Sequence, residues 1–247
     1  MPERFDVALV SGGQDSVTAA HYTHNDIREM DALVYLDTGT GADKNRKYVE
    51  DFADWMGLQL WTLRTNENYD EMVDEHGFPG PTQHGIFYLS LKERQISKLA
   101  TAVNGDLHLW TGVRRRESNN RMKSVEKVQV AQEGRWTWHA PLHDWSKHSC
   151  VSYIDENDLP TNDLWETLGR SADCWCGCYG NPEELIDAEA CGLDDVVNQL
   201  RNLESKIEHD DEKDIWGHQA LSNVEKRAER VDDQNMSLCA HCGLDKQ

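Results

Sequence analysis

Residues 11–16, SGGQDS, place two glycines, two serine hydroxyls and a carboxylate directly after the apolar run FDVALV. Glycine lets the backbone turn sharply and approach an anion closely, and a helix that begins here would direct its first N–H groups at that anion. The stretch is shorter than a Walker A loop and lacks its lysine. We therefore predict an anion-binding loop, in which the carboxylate either holds Mg²⁺ or ties the loop down. It consists of Ser11, Gly12, Gly13, Gln14, Asp15 and Ser16.

A second polar group, LDTGTG at 36–41, follows another apolar run. If that run is a strand parallel to the first, the carboxylate and hydroxyl at its end face the same crevice as the glycine loop. Taken alone, the pattern is that of a turn which ends a strand. Together with the loop it predicts that Asp37, Thr38 and Gly39 contribute to the same binding site.

Three consecutive arginines occur in TGVRRRESNNR, residues 111–121, although the formal net charge of the chain is −20. The planar guanidinium forks of arginine match the oxygens of phosphate and sulfate. We predict that Arg114 and Arg121 bind an anion and that Glu117 orients an arginine. The candidate residues of this segment are Gly112, Arg114, Glu117, Ser118 and Arg121.

Seven cysteines, an odd number, indicate metal binding or thiol chemistry rather than a complete set of structural disulfides. C-x-x-C is a common metal-ligand spacing because one turn presents both sulfurs to one ion. Two separated groups could close a tetrahedral Zn²⁺ site or hold a [4Fe–4S] cluster, and free thiols are the third reading. The candidate metal ligands are Cys174, Cys176, Cys178, Cys239 and Cys242, and the sequence assigns no role to Cys150 or Cys191.

Alternating strands and helices must position these motifs. Apolar runs predict strands at 5–10, 31–38, 58–64 and 106–113, and amphipathic patterns predict helices at 16–25, 42–57 and 86–103. Residues 77–85 are predicted to be a loop. The alternation indicates an α/β fold with a doubly wound, mostly parallel sheet, in which ligands bind at the carboxyl ends of the strands.

After residue 124 the pattern weakens. We expect short strands within 125–131 and 135–141, helices within 146–158 and 162–169, a cysteine-rich turn at 174–178, and a charged helical region over 181–233. The predicted division is a nucleotide-binding α/β domain over residues 1–170 and a helical C-terminal region with the cysteine clusters over 171–247.

The composition narrows the class of protein. Hydrophobic residues make up 38% of the 247, which is enough for a core, and no apolar run approaches the roughly 20 residues that a membrane helix needs. The N-terminal segment does not have the pattern of a signal peptide, so we expect a cytoplasmic protein. The acidic residues are spread along the whole chain, which favours adaptation to high salt and repels nucleic acid unless a local basic patch overrides that charge.

The glycine loop resembles the PP-loop of the ATP pyrophosphatase superfamily, also called adenine nucleotide α-hydrolase-like. That resemblance implies that residues 11–16 hold the phosphate or sulfate end of an adenine nucleotide. The spacing G-x-R-x-x-E-S-x-x-R over 112–121 is similar to an element of the phosphoadenylyl-sulfate (PAPS) reductases of this superfamily. The Asp-Thr-Gly at 37–39 resembles the same reductases and implies a place beside the adenosine.

Residues 140–178 are also similar to this reductase family, so that the resemblance covers roughly residues 5–180. The matching positions are Pro141, Trp145, Tyr153, Ile154, Leu159, Pro160, Asn162, Trp165, Arg170 and Cys174. The chain departs from the family in three places. Gln14 stands where lysine is common, the 84–92 segment lacks the paired cysteines of the iron–sulfur branch, and the tail HCGLDKQ replaces Glu-Cys-Gly-[Leu/Ile]-His.

The resemblance implies a PAPS or adenylyl-sulfate reductase in which Cys242 attacks the sulfonyl sulfur as a thiolate. A thiol reductant protein would then be a partner. The alternative is an enzyme that binds ATP with Mg²⁺ and adenylates a substrate with release of pyrophosphate, for example during sulfur insertion into nucleic acid. A third hypothesis is a nucleotide-binding subunit with a structural metal site. The sequence does not indicate an oligomeric state.

Overall fold

A computed structural model describes residues 3–117, 125–207 and 215–217, and every structural statement below concerns these residues. They contain a six-stranded sheet in the order β3-β2-β1-β4-β6-β5. The strands are β1 (Glu3–Leu9), β2 (Ala32–Asp37), β3 (Leu60–Arg64), β4 (Gly105–Trp110), β5 (Val128–Ala131) and β6 (Trp136–His139). Neighbouring strands are parallel except for the antiparallel pair of β5 and β6. The predicted α/β fold with a mostly parallel sheet is confirmed.

Helices connect the parallel strands and continue beyond them. In chain order they are α1 (Gln14–Tyr22), α2 (Asp43–Met56), α3 (Tyr69–His76), α4 (His84–Tyr88), α5 (Arg94–Ala102), α6 (Lys147–Glu156), α7 (Leu164–Thr167), α8 (Glu183–Ala190) and α9 (Asp194–Glu204). A π-helical stretch, Leu89–Glu93, joins α4 to α5, so the predicted helix at 86–103 is a composite. None of the described helices is long and apolar enough to cross a membrane.

Helix α3 is not predicted by the sequence, because DEMVDEH is polar and the helix buries only Tyr69 and Val73. Asn68 starts it by accepting a hydrogen bond from the Asp70 N–H. The charged helical region predicted from residue 181 onward contains two described helices, α8 and α9, with a break between them. Gly192 has φ +71° there, and such a left-handed residue ends a helix.

Three large apolar clusters and a small one, made of Ala19, Leu142 and Cys150, form the core of the described residues. Two of them cover the two faces of the sheet, centred on residues such as Val7 and Leu109 in one and Leu33 and Phe52 in the other. The third joins α3, the cysteine-rich turn and the C-terminal helices, and it contains residues on both sides of position 170. A domain boundary at residue 170 remains a prediction.

Candidate functional site

A cavity of about 250 Å³ opens at the carboxyl ends of β1, β2 and β4. Its walls come from the 11–16 loop, from residues 34–36 of β2, from the segment after β4 and from residues 169–174. Open parallel sheets bind ligands at this edge because the chain turns in opposite directions on either side of the central strand. The structure thus gathers the glycine loop, the arginine segment and residues 169–174 around one cavity.

The glycine loop is held from behind by three side chains. Asn45 donates a hydrogen bond to the Ser11 carbonyl at 2.9 Å, and the Gly12 carbonyl accepts hydrogen bonds from Trp165 at 2.8 Å and Asn162 at 3.3 Å. These contacts occupy the loop carbonyls, whose negative dipoles would otherwise repel an anion.

In the first turn of α1 the Ser16 and Val17 N–H groups donate to the Gly13 carbonyl. The N–H groups of Gln14 and Asp15 precede them at the helix start, where an anion can accept their hydrogen bonds.

Gly12 has a specific steric reason to be glycine. Its φ is +80°, and a Cβ there would lie 2.4 Å from Oδ1 of Asn45. Any side chain would therefore displace the residue that holds the loop, and it would also strain the backbone.

Ser16 acts inside the loop. Its hydroxyl donates to the Gly13 carbonyl at 2.8 Å and accepts the Ser11 N–H at 3.2 Å. The side chain closes the turn before α1, whose N-cap is Gly13 and has no side-chain cap hydrogen bond. Both serines line the cavity, and Ser16 uses its hydroxyl to hold the loop in shape.

Arg114 reaches the loop from the end of β4. It is 6% exposed, its Nε donates to Oδ2 of Asp15 at 2.8 Å, and its Nη2 lies 2.8 Å from the same oxygen. Burial opposes the charged guanidinium, but the Asp15 carboxylate outweighs burial and raises the pKa of Arg114. Of the two roles predicted for Asp15, this pair accounts for tying the loop down.

Gly112 lets these two elements approach. A Cβ at Gly112 would lie 2.5 Å from the backbone of Asp15, so only glycine allows β4 to end against the first turn of α1. Glu117 also lines the cavity. Ser118 and Arg121 lie outside the described residues, so their predicted role in anion binding is untested.

Three further cations line the cavity that sequence reasoning did not assign to it: Lys92, Lys147 and Arg170. Lys92 belongs to the π-helical stretch, is 5% exposed and lies 3.5 Å from an Asp173 carboxylate oxygen. Lys147 begins α6, and its ammonium lies 3.9 Å from Oδ1 of Asp15. No spacing in the sequence relates these positions to the loop, because only the fold brings them there.

The Asp-Thr-Gly turn does not belong to the described lining of the cavity. Asp37 forms an ion pair with Arg64 at 3.0 Å and accepts the Gly39 N–H at 3.0 Å. Thr38 donates to the Asp173 carbonyl at 3.3 Å and thereby attaches the end of β2 to the 171–174 segment. In the structure this turn supports a wall of the cavity, and its predicted contact with the nucleotide remains a prediction.

The cysteines of the 174–178 turn lie in different surroundings. Cys174 lines the cavity, whereas Cys178 is fully buried in the third apolar cluster. Within the described residues no group of three or more histidine, cysteine or acidic side chains could hold a metal ion. Cys176 is partly buried, and Cys239 and Cys242 lie outside the described residues, so a zinc or iron–sulfur site stays a prediction.

Cys150 lies beneath the loop and is fully buried. Burial, reinforced by the Asp15 carboxylate, raises the pKa of its thiol to about 12. Because the thiolate is the nucleophilic form of cysteine, Cys150 is unreactive near neutral pH. It packs between Ala19 of α1 and Leu142.

Comparisons with known proteins found similarity in sequence and in structure. A curated protein of Methanocaldococcus jannaschii, described as uncharacterized, is 26% identical over 156 residues, which are 63% of this chain and 32% of that protein. This chain therefore spans about a third of the length of that relative.

Among solved structures, PAPS reductase from Candida auris in a phosphate complex is similar, with 15% identity and a TM-score of 0.47. The match covers 68% of this chain and 79% of that one. FMN adenylyltransferase from Candida glabrata with FAD and pyrophosphate matches at 10% identity and a TM-score of 0.47, covering 65% of this chain and 51% of that one.

The sequence profile of the phosphoadenosine phosphosulfate reductase domain matches residues 6–180. That span includes the glycine loop, the arginine segment and most of the cavity wall described above. The chain belongs to the phosphoadenosine phosphosulfate reductase domain family.

Proposed function

We propose that this protein is an enzyme that binds an adenine nucleotide in the cavity and acts on its sulfate group with thiol chemistry, as a PAPS or adenylyl-sulfate reductase does. The observation that carries the proposal is the meeting of the glycine loop with Arg114 at the carboxyl edge of the sheet. In a chain with net charge −20, four cations line this cavity against three carboxylates. The cations are Lys92, Arg114, Lys147 and Arg170, and the carboxylates are Asp15, Glu117 and Asp173.

Different groups around the cavity bind different parts of the nucleotide. The first N–H groups of α1 receive the anionic end of the nucleotide, and Arg114 and Lys147 supply positive charge beside it. One wall of the cavity consists of Val34, Tyr35 and Leu36 of β2. This wall suits the adenine ring, whose faces are apolar. Asp37, Thr38 and Gly39 support this side.

The proposed reaction needs a thiolate and a reductant. The Cys242 thiolate attacks the sulfur of the sulfated nucleotide, a sulfur–sulfur bond forms, and the bond from sulfur to the bridging phosphate oxygen breaks. The nucleotide leaves with that oxygen as a phosphate anion, which Arg114 stabilises. A dithiol reductant protein then attacks Cys242, releases sulfite and becomes a disulfide.

One observation favours a second candidate, ATP-dependent adenylation. Oδ1 of Asp15 is buried and accepts no hydrogen bond from the described residues, and a carboxylate oxygen is a typical ligand of Mg²⁺. Mg²⁺ would neutralise the phosphates of ATP during release of pyrophosphate. The acceptor could then be a nucleic acid guided by the arginine turn. Without either reaction, the chain would serve as a nucleotide-binding subunit.

One experiment separates these reactions. The protein is incubated with PAPS and a dithiol reductant, with adenylyl sulfate and the same reductant, and with ATP and Mg²⁺, and both sulfite and pyrophosphate are measured. Sulfite that disappears in Cys242→Ser but persists in the control Cys191→Ser supports the reductase. Pyrophosphate without sulfite supports adenylation, and neither product with undiminished nucleotide binding supports the binding subunit.

A further inference from the structure

Arg170 is a buried cation in the cavity wall whose guanidinium is held on two sides. It is 10% exposed, it stacks 4.1 Å above the ring of Trp175, and its Nη2 lies 3.1 Å from Oε2 of Glu184. That contact is an ion pair, and Nη2 is enclosed on this side of the guanidinium. Because Arg170 also lines the cavity, its charge is fixed in a wall that a ligand can reach.

The supports of Arg170 come largely from beyond the segment that matches the family. Glu184 lies in the first turn of α8, after residue 180. The Trp175 carbonyl accepts a hydrogen bond from the indole of Trp216 at 2.8 Å, and the two rings lie 5.7 Å apart. The glycine at 177 permits this packing, because a Cβ there would lie 2.8 Å from that indole nitrogen. The C-terminal region thus fixes the arginine from behind.

We propose that Arg170 binds an anionic group of the nucleotide and that Glu184 is its positioning residue. The inference rests on the proposed nucleotide site. Stacking on Trp175 fixes the plane of the guanidinium, as cation–π contacts do, and Glu184 fixes its rotation within that plane. The nearby carboxylate also offsets part of the cost of burying the charge of the arginine. Because Arg170 lines the cavity in a fixed orientation, it can contact phosphate or sulfate there without first having to become ordered.

The geometry distinguishes this role from simple stabilisation. A salt bridge that serves only folding would have no reason to line a cavity that also contains the predicted anion-binding loop. Arg170 lies beside Ser171 and Asp173, which line the same wall. This wall meets the end of β2 through Thr38, whereas Arg114 approaches from β4, so cations flank the loop on both sides.

The test is calorimetric titration of the full chain with adenosine and with ATP. Arg170→Gln should weaken ATP binding by about 10-fold to 100-fold, as expected for a lost charge-assisted hydrogen bond, and change adenosine binding by less than about 2-fold. Glu184→Asp keeps the charge but withdraws the carboxylate by one methylene. It should weaken ATP binding by about 3-fold to 10-fold, leave adenosine binding unchanged, and have no effect in the Arg170→Gln background.

Arg201 of α9 and Glu189 of α8 form an exposed ion pair at 2.8 Å. The same substitutions at this pair, Arg201→Gln and Glu189→Asp, are the matched controls and should not change ATP binding. Arg170→Gln combined with Glu184→Gln leaves no unpaired buried charge and should remain folded while still losing ATP affinity. Wild-type affinity for ATP in Arg170→Gln would overturn the inference, as would equal losses for adenosine and ATP in Glu184→Asp. Failure of the wild-type protein to bind PAPS, adenylyl sulfate or ATP in the same titration would overturn the proposed function itself.

Discussion

Replacing Arg114 by glutamine breaks the ion pair that joins this arginine, after the end of β4, to Asp15 of the glycine loop. Arg114→Gln leaves the Asp15 carboxylate with the Lys147 ammonium at 3.9 Å as its nearest described cation. Removing one partner of a buried pair typically costs 3–5 kcal/mol of stability. Because the Asp15 side chain keeps 18% of its exposure to solvent, water compensates part of the lost contact. We expect a loss of about 3 kcal/mol, at the lower end of that range.

This loss should appear as a fall in Tm of about 6–12 °C for a chain of this size. Asp15→Asn should cost at least as much, because Arg114 is the more deeply buried partner. The double variant Asp15→Asn with Arg114→Gln replaces both charges by neutral amides, so that no buried charge is left unpaired, and should recover part of the stability. Nucleotide affinity should fall by about 1–3 kcal/mol in Arg114→Gln and should not recover in the double variant, because the cation remains absent.

The assay combines urea unfolding followed by circular dichroism with calorimetric titration of ATP. The double-mutant cycle isolates the energy of the pair. A coupling energy above about 1 kcal/mol is expected for two groups in direct contact. If the double variant lost as much stability as the two single variants together, the pair would not anchor the loop. Unchanged ATP affinity in Arg114→Gln would refute the view that Arg114 supplies the cation of the site.

Three further predictions concern packing, pH and the support of the loop. Gly112→Ala should lower both Tm and nucleotide affinity, because its Cβ would lie 2.5 Å from the backbone of α1. The control Gly85→Ala has open space around it and should leave both unchanged or slightly raise Tm. Equal effects of the two substitutions would contradict this explanation. Burial, with the adjacent histidine, lowers the pKa of His139 to about 4, so the unfolded chain takes up a proton that the folded protein excludes. The free energy of unfolding should therefore fall by about 1–2 kcal/mol as the pH drops from 6.5 to 4, allowing for partial exposure, and His139→Gln should flatten that dependence. Trp165→Phe removes the 2.8 Å hydrogen bond to the Gly12 carbonyl and should cost about 1 kcal/mol of stability with weaker ATP binding, which thermal unfolding and titration would detect together.

Much of the sheet was predictable because parallel strands buried on both faces are continuous apolar runs, as in ALVYLD of β2. The glycine loop was predictable because its geometry depends on neighbouring residues. Helix α3 was missed because its polar sequence buries only two side chains. Its Tyr69 hydroxyl donates to the Cys176 carbonyl at 3.0 Å, a long-range contact that no local pattern contains.

The same distinction separates the parts of the site. The order of residues in the sequence is enough to identify the Gly12 turn, the start of α1, and the glycine and arginine that follow β4. Each of these features depends on backbone conformation within a few residues. Only the tertiary structure pairs Arg114 with Asp15, turns Asp37 toward Arg64, and places Lys92, Lys147 and Arg170 in the same wall. The physical reason is that burial and electrostatic pairing act through space, between groups that the folded sheet brings together from far apart in the sequence.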